Sequence, residues 1–456
     1  MRIAITQPLF AWDCLDDNPD LKTIAHFLHG LPDGRLLEAL RRWRGRGRDD
    51  YPVTALWGVV VLTPLLRLPT IEGCLAELHR NPSLRQLIGI PSENRVPRKW
   101  NVSRFQVVLG REPHLTLLRE MFDVMIRRLG QAVPELGRKT AGDSTGLSAR
   151  VGRSARADSP LDPPTGGTKE YTDEEGKVTK VVKWFGYKLH LLVDVENEVA
   201  LAYRTTSANR GDNEMLGELV GQARANLGED PKAQPAGSRI QTLAYDKAAD
   251  TQEVHERLEG CGILPLVQMR SLWKSEHERM LPGHDGDSNV VYDEAGTLYC
   301  YDKVSNPPVR RAMAYIGHEK SRGTLKYRCP ACHSRSFRCP SHSRCNAGKS
   351  YGMTVRVKRQ IDLRRFPPIP RATKTFERQY KGRTAVERVN ARMKVFWGAD
   401  DGNVTGPERF HATVAVVMLV HAGLATLLAS CPRREGTLGS MRLSPVAKAL
   451  QAQIDK

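Results

Sequence analysis

The sequence has no excess of acid, no even set of cysteines and almost no long apolar run. Its 456 residues carry 69 Lys and Arg against 51 Asp and Glu, a formal net charge of +18. A field of that sign favours a polyanionic partner, nucleic acid or an anionic membrane surface. The first residues, MRIAITQPLFAWDCLDD, lack the basic-then-apolar pattern of an export signal, so a cytoplasmic protein is expected. Nine cysteines, an odd number, with four between Cys329 and Cys345, argue against a secreted disulfide framework. They suit a reduced compartment and a metal site. The one long apolar run, Thr413 to Leu428, contains His421 and Gly423 and follows the charged PERFH. It reads as a buried core helix, and no membrane partner is expected. Apolar residues at 40% and charged residues at 26% belong to a soluble globular chain, long enough for two or three domains.

Five segments follow from the pattern along the chain. Residues 1–135 read as all helix, with breaks at RLPTIEG and RNPS and with Thr70 as an N-cap. The run RRWRGRGR at 41–48 is either a solvated charge run or an arm that touches phosphate. Residues 136–269 turn to strands: a strand reaching Asp143, a Gly/Pro/Ser/Asp-rich loop or hairpin insert at 152–180, strands over Gly186–Asp194 and Val199–Thr205, a strand ending at Asp246, then a helix and a further strand. Residues 270–360 read as short strands and loops holding the cysteine cluster. Helix returns over 361–430, and 431–456 is a polar, basic tail.

The stretch YKGRTAVERVNARMK, Tyr380 to Lys394, reads as one helix. On a regular α-helix, offsets of 0, 3, 7 and 14 bring Tyr380, Arg383, Glu387 and Lys394 within roughly 60° of arc. That face is either a solvated amphipathic surface with an Arg383–Glu387 pair or a carboxylate set among groups that hold phosphate. Asp143 and Asp246, each at a strand end, are the other two carboxylates at defined positions. Three hard oxygen ligands of this kind suit two divalent cations about 4 Å apart in phosphoryl transfer. Cys329, Cys332, Cys339 and Cys345 are spaced C-x2-C-x6-C-x5-C. They are candidate ligands of a structural zinc, with His333, His342 and Cys300 as spare donors, or else reduced thiols without metal. The basic run Arg364, Arg365, Arg371, Lys374, Arg378 and Lys381 suggests a phosphate channel leading into the Tyr380 stretch. His190 and Asp194 share a strand face as outer candidates, Lys188 is a weaker DNA contact, and Trp184 and Trp397 are expected to pack in the core.

The residues Tyr380, Arg383, Glu387 and Lys394 match Y-x2-R-x3-E-x6-K. In this the chain resembles the DDE transposases of bacterial insertion sequences, in the IS4/IS5 superfamily and nearest its IS1182-like branch. AGDSTGL and LAYDKAADTQEV resemble that family's two Asp regions, GYKLHLLVD its intervening strands, and residues from about Tyr51 to Phe105 its preceding helical domain. The resemblance implies an α/β, RNase H-like catalytic domain with a mostly β insertion, preceded by an all-helical DNA-binding domain. It implies that Asp143, Asp246 and Glu387 hold two Mg2+ or Mn2+ ions, and that Tyr380, Arg383 and Lys394 contact DNA. The partners implied are the element's terminal inverted repeats and target DNA, with the protein acting as a homodimer. The activity implied is cutting at the element ends and joining of the 3′-OH to target. Its rivals are a nuclease of the same fold that does not join strands, and a DNA-binding derivative that has lost catalysis.

Overall fold

The computed structural model describes residues 19–46, 49–150, 159–172, 178–229, 238–274, 277–282, 289–302, 304–334, 338–401, 404–431 and 438. The N-terminal residues 1–18, part of the arginine run at 47–48, part of the Gly/Pro-rich insert, Arg335 and nearly all of the tail expected at 431–456 lie outside them.

The described residues open with seven α-helices: α1 (Pro19–Gly30), α2 (Gly34–Arg44), α3 (Val53–Leu65), α4 (Ile71–Arg80), α5 (Pro82–Leu87), α6 (Lys99–Leu109) and α7 (His114–Ala132). Helix α3 is apolar all round and buried, as such helices are. The expected Thr70 cap is present: its hydroxyl accepts the Gly73 amide at 3.1 Å. Strands β1 (Lys139–Ser148), β2 (Thr165–Thr172), β3 (Val178–Asp194) and β4 (Ala200–Ser207) follow, then α8 (Asp212–Asn226). Next come β5 (Thr242–Tyr245), α9 (Gln252–Gly260) and β6 (Leu264–Val267). The middle of the chain is built of β7 (Arg279–Met280), β8 (Val290–Tyr292), β9 (Leu298–Tyr301), β10 (Arg310–Ala312), β11 (Ala314–Glu319), β12 (Thr324–Arg328) and β13 (Thr354–Lys358), with short helices α10 (Pro330–His333) and α11 (His342–Asn346) before β13. The last described elements are α12 (Lys374–Tyr380), α13 (Thr384–Val395) and α14 (Pro407–Ala429).

Two compact units result, residues 1–233 with 384–456, and residues 234–383. In the first, the long strand β3 is antiparallel to β1, β2 and β4. Helix α14 packs against α1, α3, α6, α7 and β4. It is long and apolar enough to cross a membrane, but 78% of its apolar window is buried inside the protein, as expected of a core helix. Helix α8 has no counterpart among the sequence expectations. Its signal was present: Leu216, Leu219, Val220 and Ala223 recur at helical spacing and are buried.

In the second unit β5 and β6 pair in parallel. The strands β7–β10 form one antiparallel sheet and β11–β13 another. Leu281, Val290, Tyr292, Leu298, Leu325, Val357 and Phe366 are among the residues of one apolar cluster beneath them.

The stretch Tyr380–Lys394 departs from the expected single helix. Helix α12 ends at Tyr380, a 3-10 turn spans Lys381–Arg383, and α13 begins at Thr384. Gly382 is a poor helix residue, and a 3-10 turn rotates the chain by roughly 120° per residue rather than 100°. Glu387 and Lys394, seven residues apart in α13, keep a common face.

Candidate active site

Asp143 lies in the middle of β1, not at the strand end expected, because β1 continues in register with β3 to Ser148; it stands opposite Leu191. Its neighbour Ser144 points the other way and donates to Asp212 Oδ1 of α8 at 2.7 Å. Strand alternation then places Asp143 on the face away from α8, the face on which Tyr187 stacks on Phe410 of α14, with ring centroids 4.2 Å apart. Helix α13, which carries an exposed Glu387, packs against β1 and β3. Asp143 and Glu387 thus belong to one compact unit, on elements in contact.

Helix α13 is clamped from the turn between β3 and β4. There Glu198 adopts a left-handed backbone, φ +54°. Its carboxylate accepts Arg388 Nε at 2.6 Å and pairs with Arg392. Asp194 shapes the same turn by accepting the Asn197 and Gly137 amides at 2.6 and 2.8 Å, and burial pushes its carboxyl up. His190 shares 2.9 Å with Thr206 Oγ1, and burial pushes it down to about 4, so it is neutral near pH 7. Both outer candidates are therefore taken up by the sheet's own hydrogen bonding. Lys188 is held by Asp212 at 3.0 Å, and Lys394 by Asp400 at 2.8 Å. Trp397 is buried and meets His421 edge-on, whereas Trp184 covers the strand glycines Gly146 and Gly167.

Asp246 belongs to the second unit. It ends β5 and caps the 3-10 turn Lys247–Ala249, accepting the Lys247 amide at 2.7 Å. In the same unit β5 lies against the turn Lys381–Arg383, and Tyr380 stacks on Phe376 at 5.6 Å. Sequence reasoning assigned no site role to Asp250, four residues on. Its carboxylate is completely buried and pairs with Arg364 at 3.0 Å and Arg371 at 2.9 Å. The expected phosphate channel is corrected accordingly. Arg364 and Arg371 point to Asp250, Arg365 pairs with Asp362, and Lys381 pairs with Glu377. Lys374 and Arg378 are exposed.

Among the described residues no three His, Cys, Asp or Glu side chains are grouped to hold a metal. The donor chemistry of Asp143, Asp246 and Glu387, carboxylates at partly or fully exposed positions, suits a hard divalent cation. In the cysteine segment, Cys332 Sγ lies 3.4 Å from His342 Nε2. Burial and the neighbouring Cys329 raise the Cys332 thiol. A cavity of about 450 Å³ in the first unit, lined by Thr63, Arg150, Trp397, Asp401 and Arg409 among others, includes neither Asp143 nor Glu387.

Residues 143–422 match the transposase DDE domain, a span that starts on Asp143 and contains Asp246 and Glu387. The chain belongs to the DDE transposase family. Residues 13–107 match a second model, the transposase domain (DUF772). A solved structure described as a piggyBac transposase synaptic complex with hairpin DNA is similar over 98% of this chain and 84% of that one, at 11% identity and a TM-score of 0.37. A likeness that low carries no argument for the fold. No curated protein matches the sequence. The protein is thus a DNA transposase, an enzyme of a family that binds DNA and depends on divalent metal.

Proposed function

We propose that the protein binds the ends of its element, cuts there by hydrolysis and joins the freed 3′-OH to target DNA. The observation that carries this reading is the DDE-domain match from Asp143 through Glu387. Asp143, Asp246 and Glu387 are the metal-holding carboxylates of an RNase H-like domain, and two Mg2+ or Mn2+ ions are their ligand. Bound divalent cations supply charge neutralisation and water activation to phosphoryl transfer. The chain's own residues hold the substrate. Arg383 beside β5 and the exposed Lys374 and Arg378 meet backbone phosphate, with Tyr380 stacked behind them on Phe376. Lys394 reaches phosphate by leaving Asp400.

In the cut, water adds to phosphorus and the P–O bond to the 3′ oxygen breaks, which leaves a 3′-OH and a 5′-phosphate. In the joining step that 3′-OH attacks a target phosphodiester. One P–O bond forms, one breaks, and the proton passes to the departing oxygen, so no outside energy is needed. The N-terminal helices supply end recognition, with the exposed Arg41, Trp43 and Arg46 beside DNA. Two ends cut together require a homodimer, and the setting is the cytoplasm. Zinc on Cys329, Cys332, Cys339 and Cys345 is part of the same reading, with His342 beside Cys332; metal analysis of the reduced protein should find about one zinc per chain.

The experiment is a gel of purified protein, Mg2+, DNA ends taken from the sequence flanking the gene, and a plasmid target. Joined products establish the reading. Cut ends without joined products leave the metal-dependent nuclease, and bound but uncut DNA leaves the non-catalytic derivative.

A further inference from the structure

The loop that follows β5 has a carboxylate at each end. Asp246 caps the start of the 3-10 turn Lys247–Ala249, and Asp250 closes it, with the Asp250 amide on Lys247 O at 3.1 Å. Asp246 is partly exposed, whereas Asp250 has no exposed side-chain surface. Five contacts fill the Asp250 carboxylate. Oδ2 accepts Arg364 Nη2 at 3.0 Å, Arg364 Nε at 3.3 Å and the Arg270 amide at 3.0 Å. Oδ1 accepts Arg371 Nη2 at 2.9 Å and lies 3.3 Å from His255 Nε2. Arg371 also donates to Val267 O, the last residue of β6, at 2.9 Å, and to Arg364 O. One carboxylate therefore joins the Asp246 loop, helix α9, the end of β6 and the segment that leads into α12.

Burying three charges costs free energy, and apolar residues of equal volume often serve stability as well or better. What the ionic version adds is a single geometry, since every donor around Asp250 is directional. A carboxylate that binds metal needs its backbone held to within roughly 0.5 Å by such surrounding groups. We propose that Asp250 is the positioning residue for Asp246, fixing the 3-10 turn between them so that Asp246 meets the metal in one orientation. Arg364 and Arg371 are then parts of this mount and not a path for phosphate. The inference rests on reading Asp246 as a metal-holding carboxylate.

The test uses the full chain. Mn2+ binding is followed by the paramagnetic resonance signal of free Mn2+, and nicking by a plasmid carrying the gene with its flanking DNA. Asp250→Asn should still melt cooperatively, but its half-saturating Mn2+ should rise by about 10- to 100-fold, the usual cost of losing a group that orients a metal ligand. Nicking should recover in part at high metal. A folded Asp250→Asn with wild-type Mn2+ affinity overturns the proposal. If that variant does not fold, Arg364→Lys takes its place, keeping the charge while losing the two-nitrogen contact on Oδ2. A smaller rise in half-saturating Mn2+ then supports the proposal, and no rise overturns it. Asp246→Ala is measured alongside. Loss of Mn2+ binding supports the Asp246 reading, and wild-type binding there removes that reading and the proposal with it, whatever Asp250→Asn shows.

Discussion

Glu198 and Asp250 hold two candidate catalytic elements in different ways. Glu198, in the first unit, reaches from a turn to Arg388 and Arg392 of α13, the helix of Glu387; its side chain is 10% exposed and that of Arg388 is 52% exposed. Asp250, in the second unit, sits on the loop of Asp246 itself and is sealed from water among Arg364, Arg371 and His255. The first is a clamp with a buried arm, Arg392, and an exposed one, Arg388, which water can partly replace. The second is an enclosed mount in which a lost partner leaves a buried charge uncompensated. The difference teaches that a basic residue near a motif says little about its role until its burial is known.

The largest effect should come from breaking the enclosed mount. Arg371→Ala leaves the Asp250 charge buried with one partner fewer and should destabilise the second unit by about 3–5 kcal/mol, read as a lower urea midpoint. Arg388→Ala opens the surface clamp and should cost about 1 kcal/mol or less, with Arg392 still on Glu198. Equal losses in the two variants would erase the distinction.

Acid should separate the units as well. Burial pushes His190 and His411 down to about 4 and His421 to about 3 from 6.5, all in the first unit. Their unfolded forms bind protons first, so the stability they permit is complete above pH 6.5 and declines as pH falls toward 4. Asp250 runs the other way. Burial alone would raise it, but His255, the Arg270 amide and the two arginines hold it at about 2 against an ordinary 3.8. Its contribution is complete above pH 3.8 and is lost only as pH falls toward 2. Amide protection factors, which remove the intrinsic slowing of exchange in acid, should therefore fall in β3 and α14 before β6 between pH 6.5 and 4.5; the reverse order would contradict this. The smallest effect expected is on binding: Arg383→Ala should reduce the salt slope of DNA binding by about one. An unchanged slope would remove Arg383 from the phosphate contacts.

Much of this was legible in the sequence because it is local. The helical N-terminus, the Thr70 cap, the strands around Asp143 and Asp246 and the buried α14 all follow from periodicity and turn residues. The break at Lys381–Arg383 was written in Gly382 and outweighed by the helix formers around it. The partners of Arg364 and Arg371 were not legible. Asp250 lies 114 and 121 residues away from them, and no local pattern reports a pairing that distant. Glu198 escaped for the same reason, being 190 residues from Arg388.

The central claim is that Asp143, Asp246 and Glu387 act together on DNA. The most direct measurement is Mg2+-dependent nicking of a plasmid carrying the gene with its flanking DNA, by wild type and by Asp143→Ala, Asp246→Ala and Glu387→Ala, with DNA-end binding measured on the same samples. The account predicts nicking by the wild type, none by any of the three variants, and end binding unchanged in all four. Nicking retained by the three variants would contradict it.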